Sequence, residues 1–340
     1  MDLTIARVLI PQIGVLLALV LLTLWLVRPP DQLDALFSHQ ECRRVDLKDP
    51  ETGDAITGAE DLQFGPDGDR VYLSAYDRSN LERSGGLYAF SLWEWAGREE
   101  LTAKKLNRQQ TRVFHPHGFA LSTSADRLAV VVRDTHGGAT IEVGELDPSG
   151  WKPERVLSSP ALCRANDLQF SGADDIEIEV TIDRADCAPS LRDLLPGART
   201  GKVLRFSPSG PDIVRHGLRF PNGLASGVVA ETRADRLSWE DGRRVDLPGG
   251  PDNLTEMADG RLVVAVHPNL FLTFLGSRGI YGATPSRVLL VDPNSLRITV
   301  LFDDPEGRIF AGATAALFDG SKLVVGSATD TGLLICEKRP

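Results

Sequence analysis

The chain has 340 residues, 42% of them hydrophobic and 25% charged, a composition that builds a packed core and argues against wholesale disorder. That length admits either two ordinary domains or one large all-β architecture. A formal charge of −10 speaks against a nucleic-acid surface, because such surfaces neutralise phosphates with Lys and Arg.

Between Arg7 and Arg28 runs VLIPQIGVLLALVLLTLWLV, twenty residues without a charge and about the length that crosses a bilayer as a helix. The following stretch, LWLVRPPDQLDALF, has no small-x-small cleavage site beside the apolar run. A retained signal-anchor is therefore expected over residues 1–29, then a linker over 30–41 and an exported body over 42–340. The body would be tethered to the membrane on its extracellular, periplasmic or lumenal side. Cys42 and Cys336 stand near the two ends of this body, where a bridge would join them, and Cys163 and Cys187 are the other possible pair. Four reduced, buried thiols are the alternative. The spacings rule out a zinc site of CxxC type.

From Glu60 onward a unit recurs: a polar residue or pair, an apolar strand, a turn often containing Asp-Gly, and a second apolar strand. It reads EDLQFGPDGDRVYLSA from Glu60, HGFALSTSADRLAVVV from His117, NDLQFSGADDIEIEV from Asn166, NGLASGVVAE from Asn222, DNLTEMADGRLVVAV from Asp252 and GATAALFDGSKLVVGS from Gly312. Such turns between apolar runs are hairpin signals. Steps averaging roughly fifty residues match the four-stranded blades of a β-propeller. The expected fold is all-β, a six-bladed propeller preceded by the hydrophobic helix. The copy at Asn222 is followed too soon by the next, so its blade should be short or lack part of a hairpin. The apolar NLFLTFLG, residues 269–276, reads as a buried strand or, failing that, as a surface that touches membrane. A strand near Cys42 pairing with the terminal LLICEK would close the ring, and a Cys42 to Cys336 bridge would lock that seam by about 4 to 5 kcal/mol.

In a propeller, residues that begin the innermost strands converge on the axis. Glu60, Asn166, Asn222, Asp252 and Asn253 all end in oxygen, and carboxylates mixed with amide carbonyls suit a hard cation such as Ca²⁺. Asp61 and Asp167 follow on the opposite side of their strands and could hold a second ion. Each residue alone reads equally as a turn former. His117 shares the phase, and beside a cation it would serve as a general base.

On AEDLQF, HPHGF, ANDLQF, FPNGL, PDNLT followed by HPN, and the terminal LLICEK, the sequence resembles the paraoxonases. These are calcium-dependent six-bladed lactonases and arylesterases that keep an N-terminal hydrophobic leader. The resemblance covers residues 40–338. It implies two calcium ions, a catalytic one on Glu60, Asn166, Asn222, Asp252 and Asn253, and a structural one on Asp61, Asp167 and the backbone carbonyl of Phe119. It implies a Cys42 to Cys336 disulfide. It also implies a catalytic dyad with His117 as one member and His136 or Asp134 as the other: the separation points to His136, the apolar pattern of VVVRDTHGG to Asp134.

The expected activity is hydrolysis of a small-molecule lactone or activated ester, with the carbonyl polarised by calcium and water activated by His117. The alternatives are a propeller enzyme of the strictosidine synthase or gluconolactonase type, and a membrane-tethered binding module in which calcium only stiffens the fold. No G-x-S-x-G elbow occurs in the chain, so a covalent serine mechanism has no support. The segment RADCAPSLRDLLPGARTG, residues 184–201, is expected over the channel mouth.

Overall fold

Where alternating apolar runs meet Asp-Gly and similar turns, the chain reverses, and the outcome is six sheets, antiparallel but for one parallel edge pair in the last. The structure, a computed structural model, describes residues 23, 26–108, 112–172, 176–184, 187, 193 and 197–338. The first strand, β1 (Cys42–Lys48), belongs to the last sheet. Blade one comprises β2 (Ala59–Phe64), β3 (Arg70–Ala75), β4 (Gly86–Ser91) and β6 (Lys104–Lys105), while β5 (Glu100–Thr102) crosses to pair with β1. Blade two is β7 (Pro116–Leu121), β8 (Arg127–Arg133), β9 (Ala139–Asp147) and β10 (Gly150–Ser158). Blade three is β11 (Ala165–Ser171), β12 (Glu177–Ile182), β13 (Gly201–Ser207) and β14 (Gly210–Leu218). Blade four is β15 (Pro221–Ala225), β16 (Val228–Glu231), β17 (Arg236–Trp239) and β18 (Arg244–Asp246). Blade five is β19 (Gly250–Glu256), β20 (Leu262–His267), β21 (Ser286–Val291) and β22 (Ile298–Asp304). Blade six takes β23 (Ala313–Phe318), β24 (Lys322–Ser327) and β25 (Leu333–Glu337) from the end of the chain and β1 from its beginning.

The expected six-bladed propeller is therefore present. The blade at Asn222 is short but complete: its four strands are merely brief, joined by tight turns, so nothing is missing from it. NLFLTFLG is neither a strand nor a continuous apolar face. It forms the helix Leu270–Ser277, because Asn269 caps it by accepting hydrogen bonds from Phe271 N and Leu272 N.

The core is divided into sectors between neighbouring blades, since each sheet is apolar on both faces. Leu62 and Leu73 of blade one pack with Leu317, Val324 and Ile335 of blade six, and Val131 and Val143 of blade two pack with Leu168 and Val180 of blade three. Burial on both faces explains why β20 and β23 are buried throughout and, but for His267 and Thr314, apolar instead of alternating.

Closure follows the expected route. In β1 and β25, Cys42 pairs with Cys336 and Val45 with Leu333, and Cys42 and Cys336 are joined by a disulfide. A second disulfide joins Cys163 to Cys187. Two disulfides are the cysteine usage of an exported domain. The segment expected to be a linker is packed: Leu36 N and Phe37 N donate to Val300 O and Leu301 O of β22, and the fully buried Phe37 meets Phe318 edge-on with ring centroids 6.0 Å apart. Nearly all of the expected anchor, residues 1–22, 24 and 25, lies outside the described residues. Among those described, no helix is long and apolar enough to cross a membrane.

Candidate active site

The six inner strands, β2, β7, β11, β15, β19 and β23, stand side by side around the axis. In each, the pairing register to the next strand of its blade slips near the strand's start: between Ala59 and Asp61, Pro116 and Phe119, Ala165 and Leu168, Pro221 and Leu224, Pro251 and Leu254, and Ala313 and Ala315. A bulge of this kind leaves residues unpaired and re-aims their side chains. It fixes an equivalence that simple alternation would miss. The first bulge residues are Glu60, His117, Asn166, Asn222, Asp252 and Thr314; the second are Asp61, Gly118, Asp167, Gly223, Asn253 and Ala315. All six first residues are buried.

The first set converges. His117 Nε2 lies 3.5 Å from Glu60 Oε1, and His117 also hydrogen-bonds Asn166. Asn253 Nδ2 and Thr314 Oγ1 each donate to the Glu60 carbonyl at 2.9 Å. Arg78, beyond the end of β3, forms an ion pair with Glu60 Oε2 and places a guanidinium nitrogen 3.4 Å from His117 Nδ1. Opposite, His267 Nε2 is 2.7 Å from Asp252 Oδ2.

Burial raises the pKa of Glu60 against the pull of Arg78, with Asp252 adding repulsion. Burial and the positive charges of Arg133, Arg78 and Arg164 hold His117 well below the usual imidazole range, so it is neutral.

Three buried oxygens have no protein partner among the described residues: Asn222 Oδ1, Asp252 Oδ1 and Asn253 Oδ1. Buried acceptors left bare are costly, and two amide carbonyls beside a carboxylate are donors suited to a hard cation. These residues fit calcium. Of the other two expected ligands, Glu60 is engaged by Arg78 and Asn166 by His117. Among the described residues no three His, Cys, Asp or Glu side chains are grouped as a metal site, so a cation here would depend on the amides.

In the second set, Asp61 accepts from Leu62 N at 2.8 Å and from Phe119 N of the next blade at 3.0 Å. Asp167 accepts from Leu168 N and, across to blade four, Leu224 N, both at 2.8 Å. Burial pushes Asp61 up to about 7, and burial followed by the charge of Asp61 raises Asp167 well above the carboxylate range. Two buried carboxylates, Asp61 raising Asp167, favour a bound proton or a cation at this layer. The Phe119 carbonyl accepts from Gln63 Nε2 at 2.8 Å.

The glycines of this set are steric requirements. A Cβ on Gly118 would come within 2.5 Å of Asp167 Cα and 2.6 Å of the Asn166 carbonyl, and one on Gly223 within 2.8 Å of Asn253 Cα. Gly118→Ala should therefore cost about 1 to 3 kcal/mol, as overpacking does, read as a lowered midpoint in chemical unfolding.

His117 is not paired with either of its expected partners. Asp134 and His136 both sit in the exposed β8–β9 turn, where Asp134 Oδ1 accepts from His136 N and Gly138 N at 2.7 and 2.9 Å. The glycines that follow let the turn close early, so both side chains leave the strand before they could reach the axis. Arg133, the last residue of β8, is the group whose charge acts on His117 instead. Reasoning from sequence passed over Arg78 and Arg133 and gave His267 no role, although a signal existed. In an antiparallel hairpin the end of the second strand returns to the start of the first, and Pro116 pairs with Val132 and Gly250 with His267. Residues closing β3, β8 and β20 thus belong to the same mouth as those opening β2, β7 and β19. Most of the segment 184–201 expected there lies outside the described residues, but Cys187 lines a cavity beside Arg133.

No family model matches the chain. Among curated proteins, strictosidine synthase-like 13 of Arabidopsis thaliana is 34% identical over 265 residues, covering 70% of this chain and 63% of its own length. The chain thus spans less than two thirds of that relative. A gluconolactonase from Xanthomonas campestris is 16% identical with a TM-score of 0.50, covering 92% of this chain and 99% of that one. A protein of unknown function from Bacteroides thetaiotaomicron is 11% identical with a TM-score of 0.55, covering 87% of this chain and 75% of that one. In sequence the homologues are strictosidine synthase-like; in fold the neighbours include gluconolactonase-type propellers.

Proposed function

We propose that the axial site hydrolyses lactones or activated esters with a calcium ion held by Asn222, Asp252 and Asn253, in the manner of the paraoxonases. The observation that carries this reading is the set of three buried oxygens without protein partners among the described residues, all on the inner strands of the adjacent blades four and five. The gluconolactonase neighbour and the motif resemblance support the same chemistry. When bound, the ion would polarise the scissile carbonyl and stabilise the oxyanion.

The protein groups divide the remaining work. Asp252 has one oxygen bare and uses the other to hold His267 Nε2. His267 Nδ1 has no protein partner among the described residues, and a carboxylate-held imidazole with one free nitrogen is the arrangement of a general base. His267 Nδ1 takes the proton of the attacking water. Both ring nitrogens of His117 face neighbours, Arg78 at Nδ1 and Glu60 at Nε2, so neutral His117 orients Glu60 and Asn166 instead. The buried wall excludes bulk water from these contacts.

A second reading is favoured by Arg78. Its guanidinium sits on Glu60, supplying positive charge at the axis without a metal, and the curated relative is named strictosidine synthase-like. Counting bound calcium in the purified protein, then assaying γ-lactones and phenyl acetate before and after chelation, separates the readings. Loss of turnover by about 10³-fold on chelation, restored by added calcium, is expected. Turnover that survives chelation would move the catalytic charge to Arg78, and bound calcium without turnover would leave a binding module.

A further inference from the structure

A cavity of about 620 Å³ opens between the β8–β9 turn and the segment that begins at Ser158, with His115, Arg133, Thr135 and Thr140 on its walls. Two nitrogens of these lining residues are buried and have no protein partner among the described residues, Arg133 Nη2 and His115 Nε2. Both groups are fixed. Arg133 Nε donates to the Ala165 carbonyl at 2.8 Å, and His115, 4% exposed, packs on Tyr76 with ring centroids 5.1 Å apart. Burial, with Arg164 and Arg78 nearby, lowers Arg133 to about 10, which still leaves it charged at neutral pH. Asp183, whose charge it feels, is already engaged by Arg164 and Arg184. Asp134, also on the wall, has one oxygen committed to backbone N–H groups of its own turn.

A largely buried guanidinium that shares its counter-charge with two other arginines is poorly compensated. An acidic chain does not gather anions at long range, so a local cationic cavity is a selective feature. Ala165, whose carbonyl Arg133 holds, directly precedes Asn166 of the axial set, which places this cavity next to the axial site. We propose that it receives a carboxylate borne by the substrate, with Arg133 Nη2 and His115 Nε2 as donors, so that the preferred lactones are anionic. The carboxylate's bearer is inferred from the hydrolase reading above; the anion site itself is not.

The test compares γ-butyrolactone with 5-oxotetrahydrofuran-2-carboxylate, the same ring carrying a carboxylate, in the wild type, Arg133→Gln and His115→Phe. Calorimetric titration with glutarate runs in parallel. The wild type should favour the carboxylated lactone, and the ratio of the two kcat/KM values should fall about 10- to 100-fold in Arg133→Gln, with glutarate binding weakened alongside. A ratio and a glutarate affinity unchanged in both variants would overturn the proposal. Should Arg133→Gln fail to fold, His115→Phe keeps the ring on Tyr76 and carries the comparison alone. If the wild type hydrolyses neither lactone nor phenyl acetate, the hydrolase reading falls and the titration decides. Glutarate binding lost in the variant sustains the anion site, and no binding to the wild type removes it.

Discussion

Asp252→Ala should lower kcat/KM for a lactone by about 10³-fold and reduce bound calcium, because a single carboxylate serves two partners. Its Oδ1 is bare at the axis and its Oδ2 holds His267 Nε2 at 2.7 Å. Removing it deprives a cation of that bare carboxylate oxygen and releases the imidazole that takes the proton. His267→Phe separates these roles. It should lower kcat by about 10² to 10⁴-fold, the range for a lost general base, while bound calcium is unchanged. Residues acting as one unit are not additive, so the double variant should be no slower than Asp252→Ala alone. A metal-bound Asp252→Ala protein with normal turnover would place the chemistry elsewhere on the ring.

The largest effect on stability is expected at the seam. Cys42→Ser should remove about 6 kcal/mol by the chain-entropy model and lower Tm by about 10 °C, measured by thermal unfolding against the wild type. The disulfide spans 294 positions, and the strand it secures, β1, reaches blade six from the other end of the chain. Release of β1 would also loosen β5, which pairs with it through Asp46 and Glu100, and the buried Phe37 that precedes it. The Cys163 to Cys187 bridge, with a separation of 24, constrains a much shorter loop.

The propeller was legible because each inner hairpin carries its own local signal, an Asp-Gly or equivalent turn between strands of the right length. Blade four looked defective only because spacing was read as content; short strands need fewer residues, not fewer strands. Residues 269–276 misled for a different reason. Eight nearly continuous apolar residues have no period to distinguish helix from strand, and the capping Asn269 was the better guide. The oxygen-bearing residues at the axis were visible as a phase within a repeat. Arg78 and Arg133 were not, because they end strands, and their place follows only once the register of each hairpin is known. His136 was drawn in by separation along the chain and Asp134 by the apolar pattern before it, and neither says where a turn takes the side chain.

Around the ring, the second bulge residue runs Asp61, Gly118, Asp167, Gly223, Asn253, Ala315, a polar side chain and then a small one, three times over. Each small residue leaves room that its neighbour occupies: Gly118 against Asp167, Gly223 against Asn253. Such an alternation closes on itself only when the number of blades is even. A seventh blade, or a fifth-blade deletion, would set two polar groups or two gaps side by side at this layer. The blade count of this propeller is therefore constrained by parity, and the chain can gain or lose blades without disrupting its axis only in pairs.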